Sequence, residues 1–126
     1  KYCMKYGEPY ILYNYYNGPS ATYHEGTPGQ TWRTATTGWV VKSLINYAFG
    51  LKPGLDGLSL DPCLPPDWKE CAITKQFRGC EYHIRYHQRT GSGCIVEQIL
   101  VNGQTTNSML LPYEKGALFT VDVYLK

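Results

Sequence analysis

With 126 residues and a mass of 14.3 kDa, the chain has room for one ordinary domain, or for a compact domain joined to a piece of something larger. It is too short for a large enzyme. Hydrophobic residues at 43% against 17% charged supply enough apolar side chains for a core and too little charge for a disordered chain. Twelve Lys and Arg against ten Asp and Glu leave a formal charge of +2, which argues against a nucleic-acid partner, since neutralising a row of phosphates takes a large basic excess.

From the start of the chain, residues 1–7 hold no apolar run with a small-residue cleavage site, so no signal peptide is expected in this segment, and no initiator Met is present. Residues 1–33 are rich in Tyr, Gly and Pro, with Tyr2, Tyr6, Tyr10, Tyr13, Tyr15, Tyr16 and Tyr23 but no sustained helical period. They read as an ordered loop region that needs neighbours. Residues 34–49 place Val40, Val41, Leu44, Ile45, Ala48 and Phe49 on one side of a 3.6-residue period. That predicts a helix, opened by a capping Thr and stopped by Gly50 and then Pro53.

After Pro53 the period changes to two. Cys80, Tyr82, Ile84 and Tyr86 alternate with Glu81, His83, Arg85 and His87, and Phe119, Val121, Val123 and Leu125 alternate with Thr120, Asp122 and Tyr124. Each series predicts a strand with one buried and one wet face. Shorter strands are expected at 57–60, 73–77, 95–101 and 109–111, with Asn102-Gly103 as a tight turn between the last two. Short strands with this punctuation predict an antiparallel β-sandwich. A lone amphipathic helix ahead of a sandwich must bury its stripe against something, so the first fifty or so residues are expected to belong to a larger helical assembly. No apolar stretch approaches the roughly 18 residues of a membrane helix, and no membrane partner is expected.

The candidate chemistry is sparse. His83 and His87 have HxxxH spacing, but on a strand four residues span roughly 13 Å, too far for two bonds of about 2 Å to one zinc; no metal is expected. Cys3, Cys63, Cys71, Cys80 and Cys94 are an odd number without a CxxC, and they read as reduced thiols in a reducing compartment. Cys80, on the inferred buried face, is a poor candidate nucleophile. No spacing among the carboxylates singles out a glycosidase pair. The run Thr31-Trp32-Arg33-Thr34-Ala35-Thr36-Thr37-Gly38 is the more informative feature. A helix start offers unpaired N–H groups and a positive dipole end, and Thr hydroxyls add donors, so an anion such as phosphate could dock there. Ordinary capping is the plainer reading of the same pattern.

These residues carry a resemblance. Glu8-Pro9-Tyr10, Asn17-Gly18-Pro19, Thr31-Trp32-Arg33-Thr34, Gly38-Trp39 and above all Phe49-Gly50-Leu51-Lys52-Pro53 with Asp56-Gly57-Leu58 and Asp61-Pro62-Cys63-Leu64-Pro65 resemble the C-terminal segment of glycoside hydrolase family 94, the cellobiose, chitobiose and related phosphorylases. Phe77-Arg78-Gly79 and Val101-Asn102-Gly103 fall where that family has similar elements. The resemblance implies an α+β fragment: residues 1–53 as the last helix and loops of an (α/α)6 barrel, and 54–126 as an antiparallel jelly-roll-like β-sandwich.

It further implies an inverting phosphorylase that splits a β-glucoside with inorganic phosphate, as co-substrate and without another cofactor, to give an α-sugar-1-phosphate. The family's general-acid Asp lies upstream, so no catalytic residue is expected in this segment and the segment alone should be inactive. The family's phosphate-binding Thr-Gly pair falls on Thr34 and Ala35, with Ala where the family has Gly. A family amide that contacts sugar or phosphate falls on Asn14, one methylene shorter than the Gln often found there. Trp32 and Trp39 are assigned to barrel packing. The implied partners are a β-linked di- or oligosaccharide, phosphate, the rest of the barrel and a second copy in a homodimer, in the cytoplasm. Two rivals stand beside this reading: a noncatalytic carbohydrate-binding β-sandwich, and a glucan-processing relative that does not use phosphate.

Overall fold

The computed structural model describes residues 11–22, 24–29, 34–89 and 93–126, with the side chain of Thr34 left out. Cys3, residues 31–33 of the hydroxyl-rich run and the Glu8-Pro9-Tyr10 motif lie outside the described residues. Packing divides the chain into two compact units, Lys1–Lys42 and Ser43–Lys126.

In the first unit, strands β1 (Tyr15–Tyr16) and β2 (Pro28–Gly29) pair antiparallel, Tyr15 opposite Gly29 and Tyr16 opposite Pro28. The Tyr15 ring lies over Gly29, where a Cβ would fall 2.2 Å from it. The connecting loop closes on Asn17, whose N–H donates to Thr27 O and whose carbonyl accepts from Gly26. Tyr13 is buried and meets Tyr16 edge-on, centroids 5.6 Å apart. Helix α1 (Thr34–Ser43) follows, with no acidic residue in its first turn. Trp39, Val40 and Val41 are exposed, and Lys42 Nζ lies 5.1 Å from the Trp39 ring centroid.

The second unit opens with a π-helical turn, Leu44–Ala48, closed by Phe49 N–H donating to Leu44 O at 2.9 Å. This differs from the single α-helix expected over 34–49. The wide turn breaks the 3.6-residue stripe, so Ile45 and Phe49 pack against the core while Leu44 stays exposed. Phe49 is fixed by Tyr86, whose ring lies 5.8 Å away and whose hydroxyl donates to Phe49 O at 2.7 Å. Gly50 ends the helix with φ +69°, the left-handed geometry that glycine adopts without cost.

Strand β3 (Leu51–Pro53) begins at once and pairs antiparallel with β4 (Leu58–Leu60). Beyond them β5 (Glu70–Phe77), β6 (Cys80–Gln88), β7 (Val96–Val101), β8 (Gln104–Thr106) and β9 (Leu118–Leu125) form one sheet in the order β5-β6-β9-β7-β8. The expectation that the strands pair antiparallel throughout is corrected here: β6 and β9 run parallel, from Glu81 opposite Leu118 to Gln88 opposite Leu125. The sheet is therefore mixed. Parallel neighbours need a long crossover, and here β7, β8 and the segment after them supply it. Arg78-Gly79 and Asn102-Gly103 turn the β5–β6 and β7–β8 hairpins, all four residues at positive φ, as tight two-residue turns require.

The expected strand at 109–111 is reduced to a single bridge between Ser59 and Leu110, and the Asn102-Gly103 turn leads into β8 instead. One face of the sheet is dry. Cys80, Tyr82, Ile84 and Tyr86 from β6 meet Phe119, Val121, Val123 and Leu125 from β9, closed over by Leu51, Leu58, Leu60, Leu64 and Leu111. Burying a side chain of this size contributes about 1.5–3 kcal/mol. The result is a mostly β unit in which the β3–β4 hairpin and the Leu110 bridge form a thin second layer.

The expectation of uniformly reduced thiols is also corrected, since Cys63 and Cys94 are joined in a disulfide. Their separation of 31 residues carries no local signature. A tertiary contact brings them together, with Leu64 N–H donating to Gly93 O at 2.9 Å. Cys71 and Cys80 are free.

Candidate functional site

The residues singled out by sequence meet at the start of α1. Thr34 is its first residue and Ala35 its second; Ala35 is exposed. Ala35 is not among the residues of positive φ, so the helical backbone there does not call for the glycine of the family pattern. The first four N–H groups of a helix have no intrahelical partner and carry the positive end of the dipole, and no carboxylate in the first turn competes for them.

Asn14, just ahead of β1, is brought to this turn across 22 residues of sequence: Thr36 Oγ1 donates to Asn14 Oδ1 at 2.9 Å. In the chain Asn14 stands between buried Tyr13 and the first residue of β1, Tyr15. The structure therefore gathers Asn14 and the first turn carrying Thr34 and Ala35, through a contact made by Thr36. Thr36 had no role in the sequence reading. Its only signal there was membership of the Thr run, because nothing local pairs position 36 with position 14. Thr36 is half-buried and Asn14 exposed, so the arrangement is a polar surface at a helix start. Its described residues, Asn14, Ala35 and Thr36, offer hydrogen-bonding groups and no carboxylate, imidazole or thiol.

The other candidates lie elsewhere. His83 and His87 stand on the wet side of β6, each engaged by carboxylates: His83 Nε2 with Glu81, and His87 Nε2 with Asp122 at 3.2 Å. Asp122 also receives Arg85. The Glu81 carboxyl, hydrogen-bonded first to His83 and then to Gln76, is held below the usual carboxylate range. Tyr124 is stacked on His87 with centroids 4.8 Å apart, and the Arg89 guanidinium lies 5.6 Å from its ring centroid. Among the described residues no group of three or more His, Cys, Asp or Glu is arranged to hold a metal. Cys80 is buried, its thiol donating to Glu114 O at 2.8 Å. Trp39 is 64% exposed, and Trp32 lies outside the described residues.

No family model matches the chain. Over 117 residues it is 31% identical to the solabiose phosphorylase of Paenibacillus borealis, covering 92% of this chain and 15% of that enzyme. Over 110 residues it is 34% identical to the N,N'-diacetylchitobiose phosphorylase of Vibrio proteolyticus, covering 87% of this chain and 14% of that one. This chain is a relative of the family 94 disaccharide phosphorylases. It spans about 15% of the length of the phosphorylases it matches. A more distant likeness, 27% over 101 residues, reaches the cyclic beta-(1,2)-glucan synthase of Rhizobium meliloti, of which it covers 3%.

Proposed function

We propose that this chain is the C-terminal part of an inverting glycoside phosphorylase that cleaves a β-linked disaccharide or oligosaccharide with inorganic phosphate. Its residues would hold the phosphate, while the proton donor comes from another part of the longer protein. Phosphate is already an anionic nucleophile and needs no carboxylate base; it needs donors that fix it beneath the anomeric carbon. The reading gives the Thr34 hydroxyl and the Ala35 N–H to phosphate and Asn14 to the sugar. Attack from the face opposite the departing glycosidic oxygen inverts the anomeric centre and yields an α-sugar-1-phosphate.

The observation that carries this reading is the contact of Thr36 with Asn14 at 2.9 Å, in a chain 31% identical to a disaccharide phosphorylase over 92% of its length. The exposed Trp39, Val40 and Val41 of α1 further support a place for this helix in a larger helical body, the (α/α)6 barrel of the resemblance. With a protein comprising this chain and the upstream barrel, Thr34→Val is expected to raise the KM for phosphate about tenfold or more, the loss of one hydrogen bond to a charged group, with the KM for the disaccharide nearly unchanged. An unchanged phosphate KM removes Thr34 from the site. The glucan-processing alternative draws on the likeness to the glucan synthase, and activity without phosphate would favour it.

A further inference from the structure

Cys63 and Cys94 lie on two connecting segments, one after β4 and one before β7, and both residues are exposed. Backbone hydrogen bonds flank their joint. Cys63 N–H donates to Ala48 O, the last residue of the π-helical turn, and Leu64 N–H donates to Gly93 O, both at 2.9 Å. Gly93 is pressed into place: it has φ +63°, and a Cβ there would fall 2.1 Å from Leu64 O and 2.6 Å from Gln88 Oε1. Gln88 is buried, its Nε2 donating to Pro66 O at 2.8 Å, and its Oε1 has no hydrogen-bond partner among the described residues. The joint therefore ties a tightly packed spot at the end of β6 to two connecting segments that no sheet ladder holds.

We propose that the Cys63–Cys94 disulfide is a reducible clasp, opened by a dithiol reductant, that releases the Gly93 segment from Leu64 while the five-stranded sheet stays intact. Exposure gives an attacking thiolate access to the sulfurs, which thiol exchange requires. The opening is local because neither cysteine belongs to the core cluster and neither lies in a sheet strand. The free cysteines do not divert the exchange. Cys80 is buried with its thiol on Glu114 O, and burial pushes the Cys71 thiol up, away from thiolate.

In the reaction the reductant's first thiolate forms a mixed disulfide with one protein sulfur and expels the other. Its second thiol then displaces the bound sulfur and closes its own disulfide. Two electrons and two protons pass from the dithiol to Cys63 and Cys94. In thiol-rich surroundings the clasp stands open, and in oxidising surroundings it is closed.

The test uses the full chain carrying Cys3→Ser, purified in air, with dithiothreitol as the reductant. Before reduction, iodoacetamide leaves Cys63 and Cys94 unlabelled and their peptides linked; after it, both are alkylated. Hydrogen exchange at the Leu64 amide then speeds up about tenfold or more, while amides of β6 and β9 keep their rates, as a local opening requires. The Cys63→Ser, Cys94→Ser double variant shows the fast rate with or without dithiothreitol. Alkylation of both cysteines without reductant, an unchanged Leu64 rate, equal acceleration in β6 and β9, or a reductant response that persists in the double variant would each overturn the proposal.

Discussion

Gly50→Ala perturbs the point where helix gives way to sheet, and the structure sets the size of the effect. Gly50 has φ +69°, and a Cβ on it would fall 2.1 Å from the carbonyl carbon of Asp61 and 2.2 Å from both its oxygen and Pro62 N. Asp61 N–H in turn donates to Gly50 O at 2.8 Å. A left-handed residue with a Cβ costs about 1–2 kcal/mol. Forcing the two backbones apart weakens that hydrogen bond, about 1 kcal/mol, and adds overpacking of about 1–3 kcal/mol. A stiffer unfolded chain offsets about 0.4–1 kcal/mol.

The net expectation is a loss of about 2–5 kcal/mol for Gly50→Ala. Gly116 provides the control, having φ +84° but open space where a Cβ would go. Gly116→Ala should carry only the backbone term, a loss of about 1 kcal/mol or less. In a unit of this size each kcal/mol moves the melting point about 4–8 °C. Circular-dichroism melts of the two variants should therefore differ by at least about 8 °C, with Gly50→Ala the lower. Equal melting points would refute the close approach of Gly50 to Asp61.

Tyr86→Phe removes the hydroxyl that donates to Phe49 O at 2.7 Å and should cost about 1–2 kcal/mol in urea unfolding; no change in midpoint would mean that this contact does not anchor the π-helical turn. Burial holds the Tyr82 phenol up to about 12, against 10.0 in the free residue, and pushes Tyr86 up as well. A raised phenol favours the neutral folded form, so stability is complete below pH 10 and declines from there as pH rises toward 12. Urea midpoints should fall between pH 9 and pH 11 and fall less steeply in Tyr82→Phe; a flat profile would contradict the burial. Glu81 has the opposite sign. Its lowered carboxyl contributes stability above pH 4.5 that is lost as pH falls through the folded value, so Glu81→Gln should soften the acid limb of a melting-point profile, and identical limbs would count against the His83 contact.

Strands β6 and β9 were legible because each has one face in water and one in the core, which writes period two directly into residues 80–87 and 119–125. Their parallel pairing was not, because alternation specifies faces and says nothing of neighbours or direction. β3 escaped notice at three residues, too short to show a period. Met109, Leu110 and Leu111 looked like a strand for their apolar character, yet only Leu111 is buried, and the run serves as a cover with one bridge.

Gly50 was read correctly as a stop. The π-helical turn before it ends at Phe49, whose carbonyl accepts from the Tyr86 hydroxyl, a contact spanning 37 residues. The Cys63–Cys94 joint is non-local in the same way. At the candidate site the helix start and its Thr run were visible in sequence, and the resemblance singled out Asn14. The Thr36 hydroxyl that joins the two is a product of folding and could not be read from spacing.

The central claim, that this chain serves a phosphate-dependent glycoside cleavage, is tested most directly by following the longer protein with a β-linked disaccharide and inorganic phosphate by phosphorus NMR. The account predicts an α-configured sugar-1-phosphate formed in step with loss of inorganic phosphate, and no cleavage when phosphate is left out. Release of free sugars at the same rate without phosphate, or a β-configured product, would contradict it.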